Sequence, residues 1–316
     1  MKILVTGCFG FIGYNFINSI LKNNNGDFLL LGIDSLSSPY SRLNYKNLGE
    51  SENFKFYEED ICNISDLDFS NKDQIDLVIN FAAESHVDTS IYNPSLFIKS
   101  NILGVNNLLN FCVKSKINNF IQISTDEVYG STKTEFYNEN QILNPSSPYS
   151  ASKASADMIC NSYKTTFGLN IKTVRPANNY GIYQQPEKLI PFSISNLVEK
   201  KELEIYGDGQ NIRHWLSVKD TVSAIKFIIE KGEQNEIYNI GSDEYLTNNS
   251  NYHHCYNLSP IFKYPDSINV AKLTFGLSLF EGVIKSFSSI SSFTVSIESN
   301  LLFMMSIYFF SCSMPR

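Results

Sequence analysis

Tryptophan occurs once, histidine four times and cysteine six times in the 316 residues. The thiols (Cys8, Cys62, Cys112, Cys160, Cys255, Cys312) form no C-x-x-C and have no histidine at metal-ligand spacing. Reduced, mostly buried thiols are therefore expected, with no disulfide framework and no metal site. Basic residues are in deficit: 25 Lys and Arg against 32 Asp and Glu leave a net charge of −7, which argues against nucleic acid as a partner. A small phosphorylated ligand is still admissible, because backbone N–H groups can hold phosphate on an acidic protein. Glycine (16) and proline (10) are too scarce, and aromatics (13%) too common, for a collagen-like or disordered chain. Long apolar runs are short too. In the C-terminal part the longest uncharged one, residues 301–312, falls below the roughly 18 residues of a membrane span, so no membrane partner is expected. The opening M-K-I-L-V-T-G runs straight into a strand pattern without an apolar leader, and a cytoplasmic location follows as the expectation.

What is present is alternation. Apolar runs at 2–6, 28–33, 54–57, 77–83, 119–124, 171–174 and 236–240 read as strands. Helix-length stretches at 11–22, 94–114, 147–167, 187–200 and 218–231 lie between most of them. This order predicts an α/β fold: a Rossmann-type, doubly wound parallel sheet covered on both faces. Beyond Thr247 only seven charged residues remain, Ser and Phe become frequent, and no hydrophobic period is sustained.

The first strand ends in Gly7-Cys8-Phe9-Gly10-Phe11-Ile12-Gly13, a G-x-x-G-x-x-G turn opening a helix. Glycines there let the backbone approach a pyrophosphate, and the helix N-terminus offers N–H groups to it. The second strand ends in Asp34, about 20 residues beyond the last glycine, where a carboxylate can accept from ribose hydroxyls and repel a 2′-phosphate. NAD is therefore expected rather than NADP. Asp60-Ile61 follows the third strand, where an acid could meet the adenine edge, and the small Ala82-Ala83 after the fourth would let a cofactor lie flat.

Tyr149 and Lys153 stand four apart, on one face of a predicted helix. A phenol titrates near pH 10. A neighbouring ammonium and a positive nicotinamide would stabilise the phenolate, so that Tyr149 can take an alcohol proton as hydride leaves. Ser124-Thr125-Asp126-Glu127 lies at the C-terminal end of the fifth strand, where α/β sheets place active sites. Thr125 could hydrogen-bond the reacting hydroxyl. Two adjacent carboxylates suit an elimination, which needs one base and one acid, and like charges split their pKa values.

The segments G-C-F-G-F-I-G (7–13), A-A-E-S-H-V-D (82–88), S-T-D-E-V-Y-G (124–130), P-Y-S-A-S-K (148–153), N-N-Y-G (178–181), P-E-K-L-I-P (186–191) and Y-G-D-G-Q-N-I-R (206–213) together resemble the dTDP-glucose 4,6-dehydratases, within the extended short-chain dehydrogenase/reductase superfamily. The likeness covers residues 1–248. It implies a redox-neutral hydro-lyase with tightly held NAD: Tyr149 deprotonates the 4-hydroxyl, Glu127 takes the C5 proton, Asp126 protonates the leaving 6-hydroxyl, and hydride returns to C6. Lys153 supports Tyr149 and the nicotinamide ribose. The resemblance further implies that Phe11, Ile12, Asp34, Asp60, Ile61, Ala82, Ala83, Ser100 and Asn179 line the cofactor. Ser85, Thr125, Asn178, Glu187, Lys188, Leu189, Tyr206, Arg213 and Asn248 would meet the sugar nucleotide, with Lys188 and Arg213 suited to its diphosphate. A homodimer through 94–114 and 147–167 is implied as well.

Three regions are expected: a cofactor domain over 1–176, a partial sugar-nucleotide domain over 177–248 interleaved with the last Rossmann elements, and an atypical tail over 249–316. Cys8 replaces a small residue of the family's turn, and His214 replaces an Asp. After Tyr238-Asn239-Ile240-Gly241 the family continues with helices and a basic segment that closes over the nucleotide; residues 249–316 lack that pattern. Weakened sugar-nucleotide binding and a tendency to aggregate are the expectations. Between dTDP- and UDP-glucose the residues do not choose. The Asp126-Glu127 pair disfavours a 4-epimerase or decarboxylase, and a non-catalytic NAD-binding module is the alternative of another class.

Overall fold

A computed structural model of the chain describes residues 1–22, 27–49, 51–66, 75–130, 137–198, 212–242 and 245–247. The chain divides into two units, Met1–Lys263 and Tyr264–Arg316, and every described residue lies in the first. The tail expected at 249–316 lies outside the described residues, as do Tyr206 and Asn248.

In chain order the elements are β1 (Lys2–Thr6), α1 (Phe11–Lys22), β2 (Leu29–Asp34), α2 (Pro39–Leu48), β3 (Phe54–Glu58), β4 (Leu77–Asn80), α3 (Val87–Tyr92), α4 (Pro94–Phe97), α5 (Val105–Lys114), β5 (Asn119–Ile123), α6 (Pro148–Phe167), β6 (Asn170–Pro176), β7 (Asn178–Tyr180), α7 (Leu189–Val198), β8 (Ile212–Ser217), α8 (Val218–Lys231), β9 (Ile237–Ile240) and β10 (Tyr245–Thr247). Seven strands pair in the order β3-β2-β1-β4-β5-β6-β9. All six pairings are parallel. The direction of winding reverses between β1 and β4, and in such sheets the ligand crevice opens there, beyond the strand C-termini. A second sheet, β10-β8-β7, pairs β8 parallel to β7 and antiparallel to β10.

Period-two geometry explains why the strands read as unbroken apolar runs. Along β1, Ile3 and Val5 join one buried cluster while Leu4 joins the other. The first cluster includes Phe16 and Ile17 of α1 with Val222, Ile225 and Ile228 of α8; the second includes Leu108 and Phe111 of α5 with Ala156 and Cys160 of α6. A strand buried on both faces has no polar side to alternate with. Removing such a side chain, as in Ile79→Ala, costs about 2–5 kcal/mol.

The stretch expected as one helix over 94–114 is helical throughout. Residues Ile98–Gly104 form a π-helical segment between α4 and α5. Gly104 ends that segment, and a Cβ there would lie 2.6 Å from the Ile61 side chain. By length and composition Pro94–Lys114 could cross a membrane, and 44% of its apolar window is buried within the fold.

Candidate active site

The glycine turn is built by close backbone approach. Gly7 has φ +63°, and a Cβ on it would lie 2.5 Å from the Ala82 nitrogen. A Cβ on Gly13 would overlap the Gly7 carbonyl oxygen, to which Gly10 N–H donates at 3.1 Å. The turn is thus pressed against Ala82 at the switch point, where a dinucleotide's pyrophosphate meets a helix N-terminus. Asp34 closes the turn: its Oδ2 accepts from Phe9 N–H at 3.0 Å and its Oδ1 from Leu36 N–H at 2.9 Å. Burial pushes this carboxyl up, and those two N–H groups oppose the shift. Each oxygen has lone-pair capacity left for a ribose hydroxyl. Cradle and carboxylate both fit NAD.

Other residues expected around the cofactor divide. Phe11 and Ile12 open α1, and Ala82, Ala83 and Ser100 are half-buried near the crevice or in the π-helical segment. Asp60 uses Oδ1 to accept from Cys62 N–H at 2.9 Å, and its Oδ2 stands 3.8 Å from Lys99 Nζ. Ile61 buries its side chain in the core, so its backbone is what it can turn to a ligand. The amide of Asn179 is engaged at both ends, donating to the Ala177 carbonyl at 2.9 Å and accepting from Thr221 Oγ1 at 2.5 Å.

The catalytic residues are delivered by two capped segments. Ser147 and Ser150 form a reciprocal capping box, each hydroxyl accepting from the other's N–H at 3.0 Å, with Pro148 in the first turn. This start puts Tyr149 and Lys153 on the inner face of α6, 9% and 3% exposed. Beyond β5, Thr125 caps a 3₁₀ turn, Asp126–Tyr129, by accepting from Glu127 N–H at 3.2 Å. The two segments meet at the Tyr149 phenol. Burial and the charge of Glu127 push it up, Asp126 and Asp157 add to this, and a hydrogen bond with Thr125 opposes it.

In the chain alone, without the nicotinamide on which the expected lowering also depends, burial and carboxylates push the phenol up, and the expected helper is a buried ammonium. That cation, Lys153, donates from Nζ to the Ile123 carbonyl at 2.6 Å. Burial pulls it down to about 8, against the opposing influence of Asp157 and Cys160.

Among residues expected to meet the substrate, Thr125 is part of this cluster and Lys188 feels the charge of Glu127. Its Nζ donates to the Ser85 carbonyl at 3.0 Å; burial lowers it, while Glu187, Glu127, Asp88 and Glu84 favour its charge. Asn178 lies in β7 opposite Trp215, Leu189 opens α7, and Arg213 lies in β8 opposite Leu246. Composition and motif reading missed Asn101. Its Oδ1 accepts from Glu84 N–H at 2.9 Å, and its amide donates to the Glu84 carbonyl at 3.0 Å and to Ser152 Oγ at 2.8 Å. It ties the loop after β4 to the catalytic helix, and in the sequence it is one of four Asn in the stretch 94–114 with nothing local to single it out.

A family profile described as "Epimerase: NAD dependent epimerase/dehydratase family" matches residues 3–241. The chain is 41% identical over 248 residues to the low-salt glycan biosynthesis protein Agl12 of Haloferax volcanii, covering 78% of this chain and 79% of that protein. It is 38% identical over 252 residues to a dTDP-glucose 4,6-dehydratase of Streptomyces antibioticus, covering 78% and 74%. Among solved structures, the dTDP-glucose 4,6-dehydratase DesIV of Streptomyces venezuelae, crystallised with NAD, superposes with a TM-score of 0.76 at 36% identity, covering 81% of this chain and 80% of that one. A UDP-glucuronic acid 4-epimerase of Bacillus cereus does so with 0.75 at 30% identity, covering 82% and 83%.

Proposed function

The chain belongs to the NAD dependent epimerase/dehydratase family, and from that premise we propose that it dehydrates a glucose nucleotide, dTDP-glucose before UDP-glucose, to the 4-keto-6-deoxy sugar. The observation that carries this reading is that the Tyr149 phenol shares a hydrogen bond with Thr125 and lies within the field of the two acids that follow it, Asp126 and Glu127. A 4-epimerisation needs the phenol and its helper but gives two acids no work. A dehydration uses both.

When bound, NAD supplies a reversible hydride acceptor. Gly7, Gly10 and Gly13 clear the space for its pyrophosphate, and Asp34 faces its ribose. Tyr149, helped by the Thr125 hydroxyl, removes the 4-hydroxyl proton. The 4-ketone acidifies C5, from which Glu127 takes a proton, and Asp126 protonates the departing 6-hydroxyl. Lys188, beside Glu127, favours the ionised base there. The sugar nucleotide is held in this reading by Ser85, Thr125 and residues of the segment from 177 onward, Glu187 and Lys188 among them.

The reading carries a cytoplasmic location and a homodimer. For the latter the support is a run of exposed apolar side chains on the helices at the α5–α6 side: Ile98, Leu103 and Met158 are 54%, 48% and 69% exposed. Light scattering on a gel-filtration column checks it. The chemistry is tested by incubating the full chain with NAD and either dTDP-glucose or UDP-glucose and following the alkaline absorbance of a 4-keto sugar. A 4-epimer as the product, with no keto sugar, would replace this reading by an epimerase.

A further inference from the structure

Behind the catalytic helix lies a set of buried charges that the reaction does not use directly. Arg175 of β6 and Asp157 of α6 are 4% and 3% exposed, with Nε and Oδ2 3.0 Å apart. Asp157 stands one helical turn beyond Lys153 on α6. Arg175 also donates from Nη1 to the Tyr129 hydroxyl at 2.8 Å, with its guanidinium 5.0 Å from that ring's centroid. The Tyr129 hydroxyl in turn donates to Asn239 Oδ1 at 2.8 Å. Tyr129 ends the 3₁₀ turn that carries Asp126 and Glu127.

One guanidinium therefore touches both segments that carry the chemistry, α6 and the 3₁₀ turn. A buried ion pair is a poor way to gain stability, because desolvation offsets most of the attraction. Its value lies in fixed geometry. We propose that Arg175, through Asp157 and Tyr129, is a positioning residue that sets the spacing of Tyr149 from Asp126 and Glu127, and that Asp157 is the counter-charge of Lys153. The inference rests on the dehydratase reading for its first part only.

The groups that face these charges are few. Lys153 meets the Ile123 carbonyl from β5, and Asp157 and Cys160 from its own helix. Asp157 meets Arg175 from β6, Ser124 from the end of β5, and Lys153, Cys160 and the Tyr149 phenol from its own helix, the phenol falling together with Lys153 when this charge is removed. The Cys160 thiol is pushed well up by burial and stays neutral. Replacing Asp157 by Asn removes the only carboxylate named here that favours the Lys153 ammonium, so Lys153 would lose its proton at a lower pH.

The test uses the full chain and three variants. In Asp157→Asn the alkaline limb of kcat is expected to move down by about one pH unit with NAD affinity unchanged. Tyr129→Phe removes one hydroxyl and leaves α6 intact. Its limb should stay in place while the elimination slows about tenfold against oxidation, so that reduced nicotinamide accumulates transiently at 340 nm. Arg175→Lys, which keeps the charge without the fork, should behave like Tyr129→Phe. Titration of lysine Cε resonances by NMR, with Lys153→Met for assignment, reads the Asp157 effect without turnover; a fall in the Lys153 midpoint is expected. An unmoved midpoint in Asp157→Asn overturns the counter-charge. Tyr129→Phe turning over a keto-forming enzyme without accumulating reduced cofactor overturns the positioning role. A wild-type chain that makes no keto sugar defeats the dehydratase reading and with it the spacing claim, while the NMR titration still decides the role of Asp157.

Discussion

The glycine turn follows the C-terminal end of β1, the acids of the Tyr149 cluster follow that of β5, and the two are built on opposite principles. The turn is backbone against backbone: Gly7 lies on Ala82, Gly13 on Gly7, and one carboxylate, Asp34, ties the result by two N–H groups. The catalytic cluster is side chain against side chain, brought in by the 3₁₀ turn, α6 and the strands beneath it, with burial acting on Tyr149, Lys153 and Asp157. Sterics at the first end tolerate no added atom. Electrostatics at the second tolerates atoms but not misplaced charge. The two ends should therefore fail differently.

The largest difference is expected from Gly13→Ala. Its new methyl meets the Gly7 carbonyl, which is itself held at 3.1 Å by Gly10 N–H, so the turn must open. NAD affinity should fall on the order of 100-fold, about 2.7 kcal/mol by titration; normal affinity would mean the cradle is not where the pyrophosphate lies. Tyr149→Phe probes the opposite end. It should lower kcat by roughly 10²–10⁴-fold while NAD affinity and melting temperature stay put. A matching loss of NAD affinity would erase the distinction between the two ends.

Asn101→Ala tests the strap between them. It leaves the Glu84 backbone groups and Ser152 without their partner, at a cost of about 1–3 kcal/mol in chemical denaturation. Activity should fall more than NAD binding does, because Ser152 lies on the catalytic helix. The smallest effect belongs to Ser147→Ala, which breaks the capping box of α6 for about 1 kcal/mol and changes kcat little. A large loss of kcat there would show that the helix start, and not only its buried face, sets the position of Tyr149.

How much of this was open to reading from the chain follows the same division. Strands at 2–6, 54–57, 119–124 and 236–240 stand out by apolarity and fall on β1, β3, β5 and β9 within a residue or so, since burial on both faces leaves an uninterrupted signature. β7, β8 and β10 escaped notice. They are three to six residues long, and β8 mixes Arg213 and His214 with Trp215 and Leu216. The helix over 94–114 was visible by its length, but not its π-helical segment, which ends at Gly104 where the chain packs against Ile61, 43 positions away.

The amino-acid sequence by itself determined the elements whose cause is local: glycines where a methyl has no room, a serine pair and proline that start α6, a threonine that caps the turn before two acids, and Tyr149 and Lys153 one helical turn apart. Tertiary structure alone decided what those groups become. Burial turns the Tyr149 phenol upward and the Lys153 ammonium down to about 8, and Arg175 ties α6 to the 3₁₀ turn through Asp157 and Tyr129. Proton affinity depends on every charge and every excluded water within a few ångströms, and those neighbours come from strands and helices far apart along the chain.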